Sequence, residues 1–141
     1  MAGQCGVRGG DCVTEPRLDG VWCYPSAMVA GETDIMCIDE SRSRMITFVH
    51  VEPGKRASTR HWTRAESPTS VAMRLRHDSE WTVHEFKFRK GSLVWFYGDG
   101  VHPWKALKPA RYPDWLPEAL AAAHQKMDEE EQRSQARAAG K

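Results

Sequence analysis

An all-β fold, an eight-stranded antiparallel up-and-down barrel with one C-terminal helix packed outside it, is what this sequence predicts. Three observations carry that expectation. Short segments rich in Val, Ile, Thr, Phe, Tyr and Trp follow one another from residue 20 to about residue 108, separated by turn-forming clusters. Their spacing, about 8–13 residues, leaves no room for the crossovers of a dozen or more residues that parallel pairing demands. After Pro109 the periodicity changes to that of a helix.

The strand segments are VWCYP, TDIMCID, MITFVHVE, STRHWTR, SVAMRLRH, WTVHEFKF, SLVWFYG and HPWKALK. The breaks between them carry Gly, Pro, Ser or Asp, each suited to a turn. Closing such a meander into a barrel removes its two exposed edges and encloses side chains or one small ligand. A sandwich with different pairing is the rival arrangement. In YPDWLPEALAAAHQKMDEE, Asp114 is a suitable N-cap and Pro117 falls in the first turn. Trp115, Leu116, Ala119, Leu120, Ala123 and Met127 form one apolar stripe, so a helix over about 114–130 is expected to lie on the sheet. The domain then covers residues 18–127. Residues 1–17, Gly-rich and without periodicity, read as a disordered tail, and residues 131–141 as a flexible one.

Composition narrows the function. The chain has 141 residues, 28% charged, and a net charge of +1, which gives no overall pull toward nucleic acid or membrane. No apolar run is long enough to span a bilayer, and the first residues lack a signal-peptide core; a cytoplasmic location is expected. Cys5 and Cys12 lack structural-zinc spacing, and Cys23 and Cys37 read as apolar fillers in strands. No metal site is expected. Nucleophile elbows, phosphate loops and dinucleotide fingerprints are all missing.

Alternation along the strands assigns an interior. Thr82, His84, Phe86 and Phe88 oppose Trp81, Val83, Glu85 and Lys87, and the first set is taken as inward. Met73, Leu75 and His77 are likewise taken as inward. MITFVHV allows either Ile46, Phe48 and His50 or Thr47, Val49 and Val51. SLVWFYG is apolar on both faces, which suits a strand under the helix. STRHWTR puts Trp62 beside Arg60 and Arg64, so either Trp62 is exposed or the arginines enter the barrel.

An interior mixing histidines and threonines with aromatics suits a ligand cavity better than a solid core. The expected ligand-binding residues are Tyr24, Phe48, Met73, Leu75, His84, Phe86, Phe88 and Trp95, with His84, His50 and Tyr24 near the mouth. The function that follows is binding of a small, mainly hydrophobic or aromatic molecule. An enzyme using the same cavity is the alternative, with His84 or His50 as acid or base and Tyr97 as donor. An interaction module with an occluded barrel is the third reading. No cofactor is predicted, though His50, His77, His84 and His102 map to one end of the barrel, where imidazoles suit haem or a transition metal. The other end carries Arg42, Arg44, Arg64, Arg89 and Lys90, read as solvated loop charges.

Gly20-Val21-Trp22 opens the first strand, and a helix follows the eighth. In this the chain resembles the calycin superfamily, the lipocalins and their cytosolic lipocalin-like relatives, over roughly residues 18–127. The resemblance implies that Trp22 closes the barrel floor and that a cation from the last strand, Lys108 or Arg111, stacks on its indole. It also implies a small hydrophobic ligand, haem, or isomerisation or cyclisation of a bound molecule. The second and third lipocalin motifs and a disulfide pair are absent from the sequence.

Overall fold

The computed structural model describes residues 17–97 and 100–140. The expected tail, with Cys5 and Cys12, lies outside these residues apart from Arg17, as do Asp99 and the side chain of Tyr97. Eight strands close into an antiparallel barrel in sequence order: β1 (Gly20–Pro25), β2 (Thr33–Asp39), β3 (Arg44–Glu52), β4 (Lys55–Ser67), β5 (Ser70–Arg74), β6 (Thr82–Arg89), β7 (Ser92–Tyr97) and β8 (Gly100–Ala106). The closing pair is Trp22 with Ala106 and Cys23 with Lys105. One helix, α1 (Leu116–Ala139), follows.

Gly20 explains how the chain enters. Its φ of +137° is a backbone conformation that L side chains rarely adopt. The bend brings Leu18 under the barrel, where its carbonyl accepts a hydrogen bond of 2.9 Å from Trp22 Nε1. A reciprocal clamp holds the entry. Asp19 Oδ1 accepts from the Glu40 amide at 2.6 Å, and Glu40 Oε1 accepts from the Asp19 amide at 3.2 Å.

The register separates two apolar clusters. Inside the barrel are Leu18, Trp22, Met36, Ile38, Met45, Val71, Met73, Phe86, Leu93, Trp95 and Trp104, with Tyr24 and Phe88 against them. Outside, Ile35 and Cys37 of β2, Ile46 and Phe48 of β3 and Trp62 of β4 pack with Leu116, Ala123 and Met127 of α1. The whole predicted helix stripe lies in this second cluster. It covers the outer face of β2–β4; among the described residues none of β7 belongs to it. Trp115, with no side-chain capping bond, stands at the N-cap instead of Asp114. The helix also runs to Ala139, beyond the expected end near residue 130. Residues 131–139 are Glu, Gln, Arg and Ala, all strong helix formers, apart from Ser134, so they need no apolar face to stay helical once the docked turns have nucleated them.

Two further boundaries differ. β4 takes in residues read as turns on both sides, leaving Pro53-Gly54 and Pro68-Thr69 as the connections. β5 stops at Arg74, because the chain then turns, the Ser79 amide donating to the Arg76 carbonyl at 3.1 Å.

Arg44 is buried and anchors the helix, which corrects its reading as a solvated loop charge. Its guanidinium lies 5.3 Å from the Trp62 ring centre, 2.6 Å from Asp128 and 3.5 Å from Glu131. Its Nη1 also meets His124 Nδ1 at 2.9 Å, so that nitrogen accepts in a neutral ring. The hydrogen bond from Arg44 holds the Asp128 carboxyl below its ordinary value. Burial, then Arg42 and Arg44, hold His124 below its ordinary 6.5. Both shifts make the fold weaker in acid. As pH falls below 6.5 the unfolded histidine takes up a proton that the native ring refuses, and stability declines. Asp128's contribution is present above the ordinary carboxylate value of 3.8 and is lost as pH falls through its lowered one. Urea midpoints measured against pH should therefore fall in two steps. His61 adds to the upper step, its pKa lowered by burial and by His84. His124→Gln should shrink that step, the pair His124→Gln and His61→Gln should flatten it, and Asp128→Asn should remove the Asp128 part of the lower one.

Candidate functional site

The barrel interior has two halves. The lower half, at the end holding Leu18 and the β2–β3, β4–β5 and β6–β7 connections, contains a cavity of about 380 Å³. Ile38, Met45, Thr63, Val71, Phe86, Phe88 and Trp95 form its wall, and Arg17, Glu40, Ser43, Ala65, Ser67 and Ser70 its mouth. That volume is within the ~300–1,000 Å³ range of small-molecule sites. Phe86 sits edge-on to Phe88 at 5.8 Å and is tilted against Trp95 at 5.5 Å. Trp22 lies at 6.2 Å from Phe88 at the floor.

The upper half is polar. Strand pairing puts His61 on the face of Met45, His84 on the face of Val71, and His102 on that of Trp95, all inward. Tyr24 stacks on Trp104 at 5.2 Å and meets His102 at 6.1 Å. A Cβ at Gly100 would stand 2.9 Å from His102 Nε2, so a larger residue there would have to displace that ring.

Several expected site residues face the barrel interior. Tyr24, Met73, Phe86, Phe88 and Trp95 belong to the interior cluster, and His84 shares its face. Of these, Phe86, Phe88 and Trp95 line the cavity. Others need correction. Phe48 and His50 point outward: Phe48 packs under α1, and both rings lie against Trp115, at 5.5 and 6.4 Å. Thr47 and Val49 take the inward face, since Thr47 pairs with interior Met36. Leu75 lies past the end of β5 and is 55% exposed. His77 lies tilted against the outward-facing ring of Trp62, centroids 4.4 Å apart. The four histidines considered for haem or metal are thus split between the two faces of the sheet, and among the described residues no group of three or more ligands is assembled. The mouth of the cavity is also at the opposite end from the one expected. Tyr97 ends β7, and its side chain lies outside the described residues.

Trp62 resolves the conflict in STRHWTR in a third way. It is outward yet buried, covered by α1, Arg44 and His77, so the arginines stay outside too. Arg64 and Arg74 lie over Trp81, at 4.4 and 4.2 Å. His61 was therefore overlooked as an interior residue. The signal was present: once Trp62 is given to a covered outer face, its neighbour must turn inward. Among the described residues no cation lies over Trp22, neither Lys108 nor Arg111; Leu18 and Phe88 cover it instead.

Eight strands, a closed meander and an internal cavity define the chain as a small β-barrel compatible with a lipocalin-like fold. No family model, no curated protein and no solved structure matches it. Among the described residues no helix is long and apolar enough to cross a membrane.

Proposed function

We propose that this barrel binds a small, mainly apolar or aromatic molecule in its lower cavity. The observation that carries this reading is the cavity itself: about 380 Å³ beside three aromatic rings, where a solid core would have brought the rings into closure. Native cores hold few voids larger than a water molecule, whereas apolar cavities take up apolar guests. Phe86, Phe88 and Trp95 supply stacking surface, and Val71, Met45 and Ile38 the remaining apolar wall. Access is from the Arg17–Ser70 mouth.

Indole emission from Trp95 is a direct reporter. Titration with small aromatic compounds should change it saturably, and native mass spectrometry should show one guest per chain. Ala65→Phe places a ring at the mouth, where Ala65 itself is exposed. It should lower affinity roughly tenfold or more, as a misplaced group of one to several methylenes does in a fitted pocket. Unaltered affinity in that variant, with its fold intact, counts against this cavity as the binding site.

A further inference from the structure

We infer that the guest of this cavity is a neutral molecule carrying a carbonyl-type oxygen, held by the indole N–H groups of Trp95 and Trp104. This rests on the cavity reading above and narrows it from an apolar molecule to an apolar ketone.

Both indoles face the barrel interior and are buried, Trp95 at 2% exposure and Trp104 at 5%. Neither Nε1 has a hydrogen-bond partner. A buried donor left unpaired is costly, so two of them on adjoining strands favour an acceptor. Trp95 lines the cavity, and Trp104 lies in the interior on the adjoining strand. Trp95 pairs directly with His102 across β7 and β8, and Trp104 is the next inward residue along β8, a diagonal neighbour within reach of large rings. Trp95 also pairs with Phe86 on its other side and lines the apolar cavity. It therefore stands at the boundary between the apolar and the polar halves of the interior. A ring system lying against Phe86 and Phe88 would bring an attached oxygen to this boundary.

Charge decides against an acid. Among the inward positions of the eight strands, read from the register, the one Lys or Arg is Lys55, exposed at the start of β4 and paired with Glu52, and the one cation lining the cavity is Arg17 at its mouth. The one inward carboxylate in the upper half, Asp34, is buried and already accepts from the His50 amide at 2.9 Å. A carboxylate guest would lose its hydration without a fixed positive charge in return. Burial holds His61 below the ordinary histidine value, so it adds no cation at neutral pH. A neutral C=O asks only for donors, and two are unpaired.

Three compounds of one shape test this with the full chain at neutral pH: 2-acetylnaphthalene, 2-ethylnaphthalene and 2-naphthoate. The ketone should bind roughly three- to tenfold tighter than the hydrocarbon, the size of one net hydrogen bond, and the carboxylate weakest. Trp95→Phe or Trp104→Phe should bring the ratio of ketone to hydrocarbon affinity close to one, whatever the smaller ring does to both affinities together. Each variant also loses buried ring volume, so the readout is that affinity ratio and not the melting temperature. The carbonyl stretch of 2-acetylnaphthalene bound to the unaltered protein should be lowered from its position in hexane, a readout independent of how the variants fold. A hydrocarbon that binds as tightly as the ketone, or an unshifted carbonyl band, overturns the inference and leaves the cavity reading standing. Tightest binding by naphthoate does the same. If none of the three binds, both fall together.

Discussion

Trp22→Ala lowers the unfolding free energy by about 3–5 kcal/mol, the usual cost of deleting a large buried aromatic ring. Trp22 is 7% exposed and sits where the entry segment, β1 and β8 meet. Its ring packs on Phe88, and its N–H is the only side-chain bond that ties Leu18 to the barrel among the described residues. Removing the indole thus opens a void and releases Leu18, which borders the cavity. Trp22→Phe separates the two effects. It keeps a ring on Phe88, loses the bond to the Leu18 carbonyl, and should cost about 1 kcal/mol for that bond plus the smaller loss of ring volume. Urea unfolding followed by far-UV circular dichroism measures both. A cost near zero for the alanine variant would mean that the floor does not depend on this ring.

Met127→Ala loosens the helix. Met127 is fully buried at the centre of the outer cluster, and its truncation should cost about 2–5 kcal/mol. Cys37 reports on the cause. Its thiol lies beneath α1, and burial pushes its pKa up to about 12, so the native protein presents almost no thiolate there. Lifting the helix exposes that thiol to water. Labelling with a maleimide, read peptide by peptide, should accelerate at Cys37 in the variant and change little at Cys23, which is half-buried on β1. Equal rates at Cys37 in both proteins would show that the lost stability comes from the cavity left behind and not from undocking.

The helix also explains which parts of the site were legible. On β6 the outer face meets water, so Thr82, His84, Phe86 and Phe88 alternate with polar or exposed neighbours, and the inward set can be read directly. On β2 and β3 both faces are covered, one by the barrel interior and one by α1. Ile35, Met36, Cys37 and Ile38 are buried in succession, and alternation vanishes. Phe48 and His50 were misplaced for that reason. Leu75 was misplaced for another: the pattern SVAMRLRH continues past Arg74, but the chain turns away from the barrel there. His61 was hidden by its neighbour, since an outward Trp62 makes sense only beneath a helix that arrives more than fifty residues later in the chain.

The eight strands, their antiparallel order and the helix stripe are local properties. Each depends on periodicity and turn chemistry within a few residues, and the sequence by itself determined them. Which face of β3 and β4 is inward, where the cavity opens, and that Arg44 is an anchor were decided only by the tertiary structure. These depend on what covers a surface, and burial is a relation between distant segments: Arg44 finds Asp128 and His124 only once α1 lies on the barrel. The ligand cavity belongs to the same group, because an empty space is bounded by strands from the whole chain and is written in none of them.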